Sequence, residues 1–217
     1  VHPKHESVKK QFLDTWLKTD QGIPRVERIF WIRMRPEILD TFGLMKLQLG
    51  TNVKRLFHGT SQSSTCFFGT SPSKPPCTDK NCRVCCIIRT SFDLSQAKRG
   101  AGGTAWKHQT TQLRYGEGMY FSPVSSKSND YNNGSERTRP AKKGKVRKWK
   151  CMFLCNVALG RSYETEEGFL LRPDQWPPSG YDSVWGKTGP NLNYDEHCVY
   201  NVNQAIPSYL IVYSLAV

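Results

Sequence analysis

No stretch of the chain approaches the roughly 18 consecutive apolar residues that a membrane span requires, and the N-terminus lacks the basic-then-apolar layout of a signal peptide. No internal repeat is evident. These absences point to a soluble intracellular protein, cytoplasmic or nuclear, with no membrane partner. The opening Val1 in place of Met fits a segment of a longer parent. Acidic residues are scarce: 18 Asp plus Glu face 31 Lys plus Arg, and the net charge of +13 is large enough to attract phosphates at physiological salt. The 217 residues, 37% of them hydrophobic, fit a single domain over 1–217 that can bury most of its unfolded surface.

The positive charge is unevenly spread. Arg137, Arg139, Lys142, Lys143, Lys145, Arg147, Lys148 and Lys150 crowd into one stretch that also holds Gly134, Pro140 and Gly144. It reads as a mobile basic surface loop over 132–150. Such a loop is either solvated and partnerless or a contact for nucleic acid or an acidic protein, because like charges this close need counterions or a ligand.

Cysteine is the residue present in excess of what a core needs. Four of the eight fall in the string CTDKNCRVCC, as Cys77, Cys82, Cys85 and Cys86. Knuckles of this spacing bring thiolates near tetrahedral zinc geometry, whereas disulfides favour partners at longer separation, so zinc is the favoured reading. Cys77, Cys82 and Cys85 supply three ligands. Cys66, across a Gly, Ser and Pro-rich turn, is the preferred fourth, with Cys86 the alternate, since adjacent cysteines diverge and seldom share one ion. The insertion then spans 66–86. Cys151, Cys155 and Cys198 sit in apolar runs and read as buried thiols.

Val8, Phe12, Leu13, Trp16 and Leu17 share one helical face, which predicts an N-terminal helix over 8–17. A strand is expected over 28–34, a helix from Pro36 to about residue 46, and a strand over 53–58 that stops at Gly59. A short helical stretch over 87–94 and a long Gly-rich loop of lid type over 95–114 follow. Further strands are read at 118–122, 149–158, 197–202 and 209–215. The order is not a regular alternation of strand and helix, so the pattern predicts an α+β domain on antiparallel sheet.

Three strings matter together: His58-Gly-Thr60, YGEGMYFSPVSSKSNDY over 115–131, and LNYDEHCVY over 192–200. Each alone is modest, since a His at a strand end or a lone Glu in a strand is usually structural. Together and in this order they resemble the catalytic domain of the poly(ADP-ribose) polymerase family, with its HG[ST] strand end, G-x-G-[IM]-Y-F turn and E-x-x-x-Y strand. Ser126-Lys-Ser128 and Tyr131 stand at the family's spacing after Tyr120. The segments GYDSV over 180–184 and AIPSYLIVY over 205–213 are similar to the terminal strands of tankyrase-type members. The resemblance runs from the strand near Ile29 to Val217, and the layout before His58 is similar to that of small mono-ADP-ribosylating members.

The resemblance implies an ADP-ribosyltransferase fold, two packed, mainly antiparallel sheets with flanking helices around an NAD cleft. It implies that His58, Tyr120 and Glu196 form the catalytic triad and that NAD is the substrate, split with loss of nicotinamide. His58 would hydrogen-bond the adenosine ribose, Gly59 would hold the nicotinamide carboxamide through its backbone, and Ser128 would bond the same group. Tyr131 and Tyr120 would wall the nicotinamide ring, and Thr60 is counted with the NAD-binding residues. Glu196 would stabilise the oxocarbenium-like state at the anomeric carbon and permits, without demonstrating, chain elongation. Tankyrase-type members carry their zinc knuckle after the Tyr motif. Here the cysteines precede it, so the zinc ligands rest on spacing. A protein acceptor is the expectation. Transfer to nucleic acid, or an inactive NAD fold that binds nucleic acid or a partner, are the alternatives.

Overall fold

The computed structural model describes residues 4–69, 74–96, 113–132, 137–140, 146–167 and 176–216. In chain order its elements are α1 (Lys4–Asp14), β1 (Pro24–Trp31), α2 (Pro36–Leu49), β2 (Val53–His58), α3 (Arg83–Thr90), β3 (Met119–Phe121) and α4 (Ser125–Asn129). Then follow β4 (Arg137–Pro140), β5 (Val146–Ala158), β6 (Ser162–Thr165), β7 (Ser183–Gly186), β8 (Glu196–Val199) and β9 (Ala205–Ala216). The fold is α+β, with two mainly antiparallel sheets and few helices, as expected. The first sheet has the order β1-β9-β5-β2, with β4 also on β5; the second has the order β3-β8-β7-β6, in which only β6 and β7 run parallel.

Both central strands of the first sheet are apolar on both faces, and their period of two sorts the side chains between two layers. Cys151, Phe153, Cys155, Val157, Leu210 and Val212 face the second sheet, joined there by Met119, Phe121 and Val199. Met152, Leu154, Ile211, Tyr213 and Leu215 face the other way and pack on Val8 and Phe12 of α1. Burying a side chain such as Phe12 contributes about 3 kcal/mol. Its ring also meets Tyr213 at 5.1 Å and Phe57 at 6.2 Å. Helix α2 closes one end by laying Phe42 on Ala158 and Ile206.

Several sequence expectations shift at their edges. The first helix ends at Asp14: Trp16 leaves it to pack on Tyr213, and the exposed Leu17 turns its N–H to Ser126; the third begins earlier, at Arg83, so that Cys85 lies in its first turn. Strands β6 and β7 were not foreseen: SYET and SVWG are too short and too polar to stand out, and they form through pairing with each other and β8. The basic stretch read as a loop over 132–150 is corrected in part. Residues 137–140 pair with 146–149 as an antiparallel hairpin on the edge of the first sheet, because β5 is long enough to outrun β2 and leaves its edge open there. Residues 97–112 of the expected lid lie outside the described residues.

Candidate functional site

The two sheets meet where one residue of β2 bridges one residue after β3. Phe57 N–H donates to Ser122 O at 2.8 Å and Ser122 N–H donates to Phe57 O at 3.0 Å. That bridge sets the last residue of β2, His58, against β3. His58 Nδ1 lies 2.9 Å from the Tyr120 carbonyl oxygen. A carbonyl only accepts, so Nδ1 carries the proton and Nε2 is left as the acceptor nitrogen. Burial lowers the His58 pKa, opposed by the Tyr120 carbonyl, so the ring is neutral at physiological pH. A neutral imidazole held this way can accept a hydrogen bond from a hydroxyl at Nε2.

Tyr120 pairs with Cys198 of β8, and Glu196 is two residues along the same strand. The period of two therefore puts Tyr120 and Glu196 on one face of the second sheet, and Phe121 and His197 on the other. The Tyr120 hydroxyl is spoken for: it donates to Gly116 O at 2.8 Å and accepts from Tyr115 N–H at 2.9 Å. Gly116 has φ of 74°, which suits only glycine here. A Cβ on Gly118 would stand 2.3 Å from Cys198 Sγ. Both glycines of the turn thus serve the seating of Tyr120.

Glu196 is buried between two cations. Lys127 Nζ lies 3.3 Å from Oε1 and also donates to Tyr194 O at 2.9 Å, while Arg114 Nε lies 3.9 Å from Oε2 and its Nη1 donates to Asn191 O at 3.1 Å. Burial lowers the Lys127 pKa and the Glu196 charge opposes it. The same charge helps to raise the Tyr120 and Tyr131 hydroxyls, on top of the larger effect of burial, so Glu196 shares a field with both rings.

Helix α4 is composed of five polar residues, SSKSN, all buried. Hydrogen bonds explain it. Ser125 Oγ donates to Phe12 O, Ser126 Oγ accepts from Leu17 and Lys18 N–H, and Asn129 accepts from the Tyr213 hydroxyl at 2.6 Å. The helix presses on the end of β2 so closely that a Cβ on Gly59 would lie 1.8 Å from Ser128 O and 3.4 Å from Tyr131 Cβ. Gly59, Ser128 and Tyr131 are therefore brought together, with Tyr131 half exposed. Thr60 follows in the loop, half-buried.

The four cysteines Cys66, Cys77, Cys82 and Cys85 converge, with all Sγ atoms within 4.8 Å of one another. Cys66 and Cys85 are 3.5 Å apart. The edges of a tetrahedron with zinc–sulfur bonds of about 2.3 Å measure about 3.8 Å. N–H groups point at the sulfurs as they do at thiolate ligands: Gln62 Nε2 donates to Cys66 Sγ and Cys77 N–H donates to Cys85 Sγ, both at 3.3 Å. The donor set fits a closed structural zinc site. Cys86 stands apart, its Sγ directed to the carbonyls of Asp79 and Lys80. It is half-buried. Cys151, Cys155 and Cys198 are buried, and no disulfide joins the described cysteines.

Arg114 and Lys127 were not among the residues singled out from sequence. Lys127 stood inside the SKS string without any signal of its partner, and Arg114 before the glycine turn had none. Residues 98–189 match the family model described as the poly(ADP-ribose) polymerase catalytic domain. The match takes in Tyr120, Ser128 and Tyr131 and leaves His58 and Glu196 outside it. That stretch is similar to the family, and the α+β fold of two mainly antiparallel sheets is consistent with a poly(ADP-ribose) polymerase-type catalytic domain.

Proposed function

We propose that the protein is an NAD-dependent ADP-ribosyltransferase, with His58, Tyr120 and Glu196 as its triad and a protein side chain as its principal acceptor. The observation that carries the reading is the buried Glu196 carboxylate between Lys127 and Arg114, on the same sheet face as Tyr120. His58 Nε2 accepts a hydrogen bond from a hydroxyl of the adenosine ribose. The nicotinamide ring lies between Tyr120 and Tyr131, over the close approach of Gly59 to Ser128, and Thr60 lines the entry.

The bond between the anomeric carbon and the nicotinamide nitrogen breaks, and its electron pair leaves with nicotinamide, cancelling the positive charge of that ring. Nicotinamide departs neutral and needs no general acid. Positive charge grows instead at the anomeric carbon, where Glu196 stabilises it while accepting from a ribose hydroxyl. The acceptor oxygen or nitrogen then bonds to that carbon and releases its proton to solvent. Lys127 and Arg114 hold the carboxylate in one orientation throughout.

Cys66, Cys77, Cys82 and Cys85 are proposed to bind one Zn²⁺. All four positions of a tetrahedron would be filled by sulfur, so the ion would support folding and supply no open site for chemistry. A nucleic-acid acceptor is the second reading, favoured by the basic hairpin of β4 and β5 and the net charge of +13.

The test is release of nicotinamide from labelled NAD by wild type and Glu196→Ala, with protein, DNA and RNA each offered as acceptor. Turnover by wild type and loss of about a hundredfold or more in the variant, with NAD binding retained, supports the reading. Label on nucleic acid that falls steeply with salt would shift the acceptor to the second reading. Absence of release with every acceptor would make the domain an inactive NAD fold that binds a partner.

A further inference from the structure

The cysteine knuckle does not hang off the domain. It leaves the chain just after His58 and returns over the same side chain. Cys85 lies in the first turn of α3, and Val84 and Cys85 are buried in the cluster that also holds Phe92, Phe121, Met119 and Cys151. Helix α3 is capped at its C-terminus by Ser91, the one described residue other than glycine with positive φ, at 65°. Its N–H donates to Ile87 O at 2.9 Å, and its side chain is buried. A serine persists in such a strained conformation only where its surroundings fix the chain direction. The direction fixed here delivers Phe92 onto His58.

Phe92 is buried and meets the His58 ring edge to face, with centroids 5.3 Å apart at 87°. It also meets Phe121 at 5.5 Å and 80°, and Phe121 closes the triangle on His58 at 5.4 Å. One side of the imidazole is thus fixed by the Tyr120 carbonyl and the other by two aromatic rings. Of those rings, Phe121 belongs to β3, whereas Phe92 depends on α3 and hence on the thiols that hold its first turn.

We infer that Phe92 is a positioning residue for His58, held in place by the Cys66-Cys77-Cys82-Cys85 knuckle, so that metal binding and NAD binding are coupled. The inference rests on the reading of His58 as an NAD-binding residue. Phe92 touches no substrate. It sets the rotamer of the imidazole and keeps water off the ring, so that Nε2 is presented to the ribose. Loss of the metal would release α3, withdraw Phe92 and leave the His58 ring held only by its hydrogen bond to the Tyr120 carbonyl and by Phe121.

The test uses the zinc-loaded domain as wild type, Phe92→Leu and Phe92→Tyr, with zinc content, NAD affinity and saturating turnover measured for each. A nuclear Overhauser contact between the Phe92 ring and the His58 imidazole protons is followed before and after chelation. Phe92→Leu should keep its zinc and weaken NAD binding about threefold to tenfold, while Phe92→Tyr, which restores the ring, should bind as wild type. Turnover at saturating NAD should stay within about twofold, because His58 acts in binding. The Overhauser contact should vanish on chelation. NAD affinity of Phe92→Leu within about twofold of wild type, or a contact that survives metal removal, would overturn the inference. A wild type that loses the contact on chelation yet binds no NAD would instead sink the enzyme reading and leave the coupling of knuckle to His58 standing.

Discussion

Lys127 Nζ lies 3.3 Å from Glu196 Oε1 while donating to the Tyr194 carbonyl at 2.9 Å, so that a buried ammonium and a buried carboxylate are held together beside Tyr194. Removing one member of such a pair strands the other. Lys127→Met should lower unfolding free energy by about 3 kcal/mol, the lower end for a broken buried pair because Arg114 remains 3.9 Å from the same carboxylate. Urea denaturation measures it. A loss under about 0.5 kcal/mol would show that the pair is solvated and that Glu196 is not fixed by it.

Gly59→Ala asks for a Cβ 1.8 Å from a backbone oxygen of α4, and no side-chain rotation can relieve that. The helix must move away from β2. The expected result is a loss of about 2 kcal/mol or more in stability together with a drop of at least about tenfold in affinity for nicotinamide analogues. Thermal melts and titration with such an analogue report the two effects, and an unchanged affinity would remove Gly59 and Ser128 from the proposed pocket.

Zinc content separates the cysteines. Wild type and Cys86→Ser should each hold one zinc per chain, whereas Cys66→Ser should hold none or bind weakly, since among the described residues only Cys66 joins the other three within ligand distance. Chelation should lower the melting temperature of wild type and of Cys86→Ser alike. Zinc retained in Cys66→Ser and lost in Cys86→Ser would assign the fourth ligand the other way.

Buried His197 should make the protein acid-sensitive. Burial, with Lys54 adding to it, pushes the pKa down to about 3, and Nδ1 finds no hydrogen-bond partner among the described residues. A histidine whose folded pKa is lowered stabilises fully above its unfolded value near 6.5, and loses that contribution as pH falls from there towards about 3. Across that window stability should drop by up to about 1.4 kcal/mol per pH unit from this one group. His58 acts in the same direction. His197→Phe should flatten the profile measured by denaturation at pH 7 and pH 5; an unchanged slope would mean that the ring is already hydrated.

The central strands were legible because β5 and β9 write their burial as nearly unbroken apolar runs, and the knuckle was legible because cysteine spacing is a geometric constraint in itself. Cys66 could be preferred over Cys86 on side-chain divergence alone, and the convergence of the sulfurs agrees. Helix α4 could be placed only through a resemblance, since SSKSN has no apolar face, and its burial depends on partners far away in sequence. Arg114, Lys127 and Phe92 matter through what they touch, and a contact between distant residues leaves no local mark. The basic stretch misled for a related reason: charge density argues for solvent, but an open edge on a long neighbouring strand supplies backbone partners regardless of side chain.

The grip on α4 comes from an unexpected quarter. Phe12, Leu17 and Lys18 reach it through backbone groups, and Asp130 just beyond it accepts from Gln21 and pairs with Lys18. These residues belong to the first two dozen, outside every motif that marks the cleft. A fragment trimmed to begin at β1 would keep each side chain assigned to NAD and still lose the clasp that seats Ser128 against Gly59. The boundary of the working unit is thus wider than the span its chemistry occupies, and a transplant of the cleft onto another scaffold would have to bring this strap along.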